Sequence, residues 1–538
     1  MKRAVLGALC AAALAGCTSL GGRSTQTASP GFEAASLYAE CASAVVVGLR
    51  WDPPTGARRS RHPTRYTIIR NGSLLGTTLE TNFADTTVAA STAYSYSVRA
   101  SLASGETLPT GTVEVSTPAA SPTADAPYCK SRYIEAIDWD WAGGHTEPNG
   151  SDLWPVTWGK DGNVYTFFGD GGGFGGDNQR GRVSFGVAMM TAAPPLAAAT
   201  ARNIYGGYNS PHPAAIDGKA SSIIAVGNDF YTLGGLYDTT ELRGVAGHKS
   251  GAPKRVQLGY SKGNAWSWHA AAWLFCSSGP QTAAGAFCPV GFINFGRGNT
   301  GAPEDHVYLV GIANTPEWWE GDDGPEVMAE RQQAAAVATP RTAPVETTAN
   351  TYLARVSKRH VLQHEAYRYF AGLDPGGHPI WSADQKQMQP IFTDRNPSRP
   401  GCGDRCIMAS PLEGAVYDAG IQRYIATAQG PYIGQTSFYD APHPWGPWTT
   451  ISYNNIDPRT GTGGWANLGI AGGGSLGVHV INAWTSPDGL SLWQTYSSDG
   501  KAPPGASFPP AGTMLDSFNL VSARLTLATA PNERHAAR

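Results

Sequence analysis

Two aspartates stand where their type and spacing would support acid–base chemistry. Asp152 lies in Gly150-Ser151-Asp152-Leu153-Trp154-Pro155-Val156-Thr157-Trp158, and Asp170 separates the apolar run Val164 to Phe168 from Gly171-Gly172-Gly173-Phe174-Gly175-Gly176. If the two apolar stretches pair as antiparallel strands, the chain returns to where it started and both carboxylates face one cleft. Hydrolysis of a glycosidic bond needs such a pair: one group protonates the leaving oxygen, and the other activates water or attacks the anomeric carbon. Asp152, beside Trp154 and so less solvated, is expected to be the acid, leaving Asp170 as base or nucleophile. The glycine run lets backbone approach a ligand and take left-handed angles. Asp before Trp-Pro and Asp before Gly are also ordinary turn residues, so the pair stands as an expectation.

Around this pair, Trp154 and Trp266 offer flat rings for sugar faces, Lys219 a donor for hydroxyls, and Glu413 a third acid beside an inner strand. These four are the expected substrate contacts, against the commoner fates of core packing for tryptophan and solvation for lysine and glutamate. His145, His269 and His306 are scattered, and Cys402-Gly403-Asp404-Arg405-Cys406 lacks a second Cys or His pair. No metal and no cofactor are expected.

The elements that must carry these residues read as strands. Charged residues make up only 15% of the 538, while 66 Gly, 39 Pro and 16 Trp imply many turns and aromatic surfaces. One short pattern, turn residues followed by a strand with an aromatic, recurs five times: Asp161 to Tyr165, Gly227 to Tyr231, Glu304 to Tyr308, Gly420 to Tyr424 and Asp488 to Trp493. Five such units predict an all-β second domain over residues 129–530, a five-bladed β-propeller, followed by a tail over 531–538. The widest gap, between Tyr308 and Tyr424, leaves room for a rim insertion from Thr315 to Asn350, with a short helix over Glu326 to Ala336. The net charge of −3 and the lack of basic runs exclude a nucleic-acid partner.

Residues 1–17 read as an export signal, because Lys2 and Arg3 precede an apolar run too short for a permanent membrane span. Leu14-Ala15-Gly16-Cys17 resembles the bacterial lipobox, which implies cleavage before Cys17, acylation of that cysteine as a membrane anchor, and an outer-membrane or cell-surface address. Residues 18–32 form a polar tether, and 118–128 a second linker. Between them, 33–117 alternates as a small β-sandwich. Leu49-Arg50-Trp51-Asp52-Pro53-Pro54, Tyr66 to Gly72, and Val88 with Tyr94 resemble a fibronectin type III module and its tyrosine corner. That resemblance implies that the Tyr94 hydroxyl bonds to backbone a few residues upstream. Six cysteines remain after the signal and the anchor, an even number suited to disulfides. Proximity pairs Cys276 with Cys288 and Cys402 with Cys406, leaving Cys41 with Cys129, though other connectivities stay open.

The acidic motifs, together with Thr351 to Val356, Ala366 to Gly372, Pro379 to Ser382 and Tyr439-Asp440-Ala441-Pro442-His443-Pro444-Trp445-Gly446-Pro447-Trp448-Thr449, resemble the secreted family catalogued as domain of unknown function 4185. The resemblance spans Tyr133 to Leu527 and implies a five-bladed propeller. Some members are endo-D-arabinanases whose two catalytic aspartates correspond to Asp152 and Asp170. A polysaccharide substrate follows, with pentofuranose polymers such as arabinan first. The segment Asn396 to Pro411 departs from that pattern and would reshape the cleft. A glycan-binding lipoprotein without catalysis is the alternative.

Overall fold

The computed structural model describes residues 37–52, 63–102, 106–120, 126–147, 150–177, 179–191, 200–238, 255–277, 285–314, 350–374, 377–394, 414–429, 436–453, 456–457, 462–463, 476–497 and 517–528. Among these residues the secondary structure is strand with a few single-turn 3-10 helices, and no helix is long and apolar enough to cross a membrane. The chain divides into two compact units, 1–120 and 121–538. The expected anchor Cys17, the helix Glu326 to Ala336, the segment Asn396 to Pro411 and its cysteine pair all lie outside the described residues.

Among its described residues the first unit holds two antiparallel sheets. Leu37–Ala42, Val47–Trp51 and Asn82–Asp85 form one, while Ser73–Thr78, Pro63–Arg70, Ala93–Leu102 and Thr107–Ser116 form the other. In Ala93–Leu102 every second residue is buried, the period expected of a strand with one face on a core. Trp51, Tyr66, Ile68, Tyr96 and Val98 make up that core. The Tyr96 hydroxyl donates to the buried Asp85 carboxylate at 2.8 Å, and Arg70 pairs with the same oxygen at 2.8 Å. The bond expected of Tyr94 is present: its hydroxyl accepts the Ala89 N–H at 2.7 Å.

Among its described residues the second unit holds five large antiparallel sheets, four of them running in sequence order from a first strand to an outer one, and a small two-stranded sheet of Ile456–Asp457 and Thr462–Gly463. The first sheet comprises Val156–Trp158, Val164–Phe168, Gly186–Met190 and Ala201–Tyr205. Ile216–Val226, Asp229–Asp238, Arg255–Ser261 and His269–Ser277 form the second. The third begins with Phe287–Asn294, His306–Ala313, Asn350–Ser357 and Arg368–Leu373, then adds Pro379–Ser382 at its edge and Pro390–Thr393 beside Asn350–Ser357. Gly414–Asp418, Arg423–Gln429, Thr436–Ala441 and Thr449–Ser452 are the fourth. In the fifth, Leu476–Val480, Ser491–Ser497 and Phe518–Leu527 are completed by Ile134–Glu147, the earliest strand of the unit.

Val164–Phe168, the second strand of the first sheet, is buried along its whole length, because apolar faces press on both sides. Each of five hydrophobic clusters mixes residues of two consecutive sheets. Phe167 packs with Phe230 between the first and second, Leu258 with Leu309 between the second and third, and Tyr308 with Tyr439 between the third and fourth. Phe438 joins Tyr496 between the fourth and fifth, and Phe518 joins Trp154 between the fifth and the first. The third and fourth sheets also touch through parallel pairing of Ile293 with Ala415 and Asn294 with Val416. The Cys276–Cys288 disulfide links the outer strand of the second sheet to the first strand of the third. Cys41 and Cys129 are each disulfide-bonded as well. A cavity of about 30 Å³ is lined by Val156, Ser222, Asn294, Ala415 and His479, one from the first strand of each sheet.

Candidate active site

Beyond the regular ladder of the first sheet, where Val156 pairs with Thr166, an isolated bridge joins Asp152 to Gly169. The bridge is reciprocal: Asp152 N–H donates to the Gly169 carbonyl at 3.0 Å, and Gly169 N–H to the Asp152 carbonyl at 3.2 Å. A Cβ placed on Gly169 would lie 3.6 Å from Asp152 Oδ1, so that carboxyl lies over its bridge partner, the residue that precedes Asp170 in the chain. Both aspartates are half-buried at one end of the sheet.

Four residue steps separate Asp152 from Val156, whereas three separate Gly169 from Thr166. The Asp152 side therefore carries one extra residue, a bulge that re-aims the side chain beside it. The bulge holds Leu153 at φ 82° and Trp154 at φ 50°, and Asp170 follows across the bridge at φ 59°. Three non-glycine residues in the left-handed region at one place persist only where the surroundings over-determine them.

The surroundings do so, mostly from the fifth sheet. Leu153 N–H donates to Ser497 Oγ at 3.0 Å, and Thr495 Oγ donates to the Trp154 carbonyl at 2.7 Å. His479 is hydrogen-bonded to the Leu153 backbone, and burial pushes its imidazole down to about 3, so it is neutral at physiological pH. Trp154 Nε1–H is shared between the Ser151 carbonyl at 3.3 Å and the Ser517 carbonyl at 3.2 Å. Ser151 Oγ accepts the Gly173 N–H at 2.9 Å, tying the acidic segment to the glycine loop.

That loop is packed against the same segment. A Cβ on Gly171 would come within 2.2 Å of the Gly150 backbone, so only glycine fits there. Arg182 donates to the Asp170 carbonyl, and Val183 N–H to the Gly171 carbonyl at 3.1 Å. The buried Asn203 amide then donates to the carbonyls of Gly172 and Phe174, each at 3.1 Å, and accepts the Phe174 N–H at 3.0 Å.

The other expected contacts separate. Trp154 is fully buried, stacked on Phe168 at 5.4 Å and edge-on to Phe518 at 4.9 Å, so it cannot carry a sugar ring. Its role is to anchor the bulge from below. Trp266 is 45% exposed and stacks on His212 with ring centroids 5.6 Å apart. Lys219 lies in Ile216–Val226 opposite Gly235, and its side chain is outside the described residues. Glu413 lies outside them too, immediately before the first strand of the fourth sheet. Among the described residues no three His, Cys, Asp or Glu cluster as metal ligands.

Ser497, Thr495 and His479 carry no local signal in the sequence, since they sit more than 300 residues beyond the aspartates and meet them only through the fold.

No protein family model matches the chain. A stretch of 71 residues, 13% of the chain, is 45% identical to an alpha-amylase of Niallia circulans and spans only 5% of that protein's length. Among solved structures, the β-xylosidase RS223 is 10% identical over 71% of this chain and 95% of its own, with a TM-score of 0.34. The GH43_1 enzyme of Xanthomonas citri complexed with xylotriose is 13% identical over 72% and 93%, with a TM-score of 0.35. A fibronectin type III domain of a human protein is covered entirely, at 18% identity over 19% of this chain and a TM-score of 0.15. With TM-scores this low, none of these likenesses decides the fold or the activity.

Proposed function

We propose that the second unit is a five-bladed β-propeller glycoside hydrolase of the family catalogued as domain of unknown function 4185, with Asp152 and Asp170 as its acid and its base or nucleophile. The propeller reading is supported by the five sheets, the clusters between each consecutive pair, and the shared cavity at their first strands. The observation that carries the catalytic reading is the Asp152–Gly169 bridge, which seats one carboxyl over the neighbour of the other on a strained, clamped bulge.

In this reading the acid gives its proton to the leaving glycosidic oxygen as the C–O bond breaks, while the partner carboxylate takes a proton from attacking water or bonds directly to the anomeric carbon. The bulge and its clamps keep the carboxyl fixed, so the geometry is set before substrate arrives. The substrate is a polysaccharide, with pentofuranose polymers such as arabinan first. Acylation at Cys17 would tether the exported enzyme to a bacterial membrane, at the outer membrane or cell surface, through a fibronectin type III-like spacer.

Incubating the purified protein with arabinans, arabinogalactan and xylans tests this reading, with released oligosaccharide as the readout. Release from an arabinan supports it. Silence across the panel, together with glycan-dependent stabilisation, would replace it by the second reading of a glycan-binding protein, which the exposed Trp266 platform favours.

A further inference from the structure

Beside the glycine loop lies a concave groove of about 720 Å³ that does not contain the aspartate pair. Its walls come from Phe174 and Gly175 of the loop, Arg202 on the outer strand of the first sheet, Tyr208, His212 and Trp266. Its size falls in the range of small-molecule sites.

The aromatic floor is built in advance. Trp266 lies on a turn held by Asn264 Oδ1, which accepts its N–H at 2.9 Å, and by Asp229, which binds Lys262 Nζ at 2.8 Å and Gly263 N–H at 2.9 Å. His212, between two prolines, has its carbonyl bonded to Gly206 N–H at 2.8 Å and its N–H to Ser210 Oγ at 3.3 Å. The two rings stack within 10° of parallel, so the imidazole supports one side of the indole while much of it stays open. Tyr208, also on the wall, is fixed by Arg180 over its ring at 4.4 Å and by its N–H to the Gly172 carbonyl at 2.8 Å. Asn203 ties Tyr208 and the glycine loop together, because the same amide also donates to the Tyr208 carbonyl at 2.8 Å.

We propose that this groove is a second saccharide-binding site, a distal subsite in which the Trp266–His212 platform carries one sugar ring of a neutral chain whose next units run along Gly175 toward Asp170. A rigid aromatic plane suits the axial C–H face of a sugar, and immobilised walls lower the entropy lost on binding. Arg202 and Glu147 line it with opposite charges, which favours an uncharged polymer over a polyanion. The inference rests on the glycosidase reading for its substrate class, but its residues are separate from the aspartates.

The test is fluorescence titration of the Asp152→Asn protein, which does not consume its ligand, with a linear arabinan oligosaccharide and with a linear xylan oligosaccharide. The expected result is a saturable change in tryptophan emission with at least one of them. Trp266→Ala in the same background weakens binding about tenfold or more, whereas Trp266→Phe, which keeps a flat ring, stays within about threefold. Melting temperatures of the variants control for folding. Undiminished affinity in Trp266→Ala would overturn the subsite and leave the hydrolase reading standing if the parent protein releases sugar. Absence of binding beside hydrolysis by the parent would also overturn the subsite alone. Absence of both binding and hydrolysis would remove both.

Discussion

Leu153 and Ser497 are 344 residues apart in sequence, and the Leu153 N–H donates to the Ser497 hydroxyl at 3.0 Å in a buried site. With Thr495 Oγ on the Trp154 carbonyl at 2.7 Å, this bond holds the left-handed bulge that follows Asp152. Ser497→Ala leaves a buried N–H unpaired and costs about 1–3 kcal/mol. On the proposed role of Asp152 as the acid, loosening the bulge beside it should lower kcat about tenfold or more in Ser497→Ala and in Thr495→Val, with KM changing little. Steady-state kinetics on the responding polymer, beside denaturant unfolding, measures both effects. A loss of stability with kcat intact would reduce the clamp to a packing device.

Trp154 serves the site from beneath. Its ring contacts Phe168, Phe174 and Phe518 and is closed to solvent. Trp154→Ala is expected to cost about 3–5 kcal/mol by opening a cavity. Trp154→Phe keeps part of the packing and should cost less. Urea titration of the three proteins gives the ranking.

Asp418 provides a pH signature in the fourth sheet. Burial, then the nearby charge of Asp488, raises its pKa to about 6, against hydrogen bonds from the Gly420 and Ile421 backbone that favour the charged form. Its folded pKa exceeds the unfolded value near 4, so its contribution to stability is fully present below about pH 4 and is lost as pH rises through about 6. Asp418→Asn should therefore stabilise the second unit at pH 7–8 by about 3 kcal/mol and change it little near pH 4. Melting curves of both proteins across that range check the sign. A larger gain in acid would contradict it.

The Cys276–Cys288 bridge closes a short loop, with 12 residues of separation, between fully buried cysteines of neighbouring sheets. The double Cys→Ser variant should lose roughly 2–3 kcal/mol, and differential scanning calorimetry reads the loss as a lower Tm.

Much of this arrangement was legible because a repeated local need leaves a repeated local pattern. Tyr165, Tyr231, Tyr308, Tyr424 and Trp493 each lie at the start of the second strand of one sheet, immediately after its first hairpin. The connection before it is rich in Gly, Asn and Asp, a tight Gly227-Asn228 turn in the second sheet but a longer stretch over 295–305 in the third and 481–490 in the fifth. The uneven gap before Tyr424 coincides with extra strands at Pro379–Ser382 and Pro390–Thr393 in the third sheet.

The site was legible only in outline. Antiparallel return brings Asp152 and Asp170 to one end of a sheet, which spacing alone suggests. Nothing local announces the bulge, because Leu153 and Trp154 are residues that ordinarily avoid left-handed angles. Trp154 looked like a sugar platform since its covering partner Phe518 lies far along the chain. Trp266 shares the same residue type, but its turn leaves it open.

The most direct measurement compares the rate of oligosaccharide release by the wild-type protein, Asp152→Asn and Asp170→Asn, on the polymer that the wild type cleaves. The account predicts that each substitution lowers kcat by about two or more orders of magnitude while both variants keep the wild-type melting profile and still bind the polymer. Near-wild-type turnover in either folded variant would contradict the assignment of the Asp152–Asp170 pair as the catalytic acids.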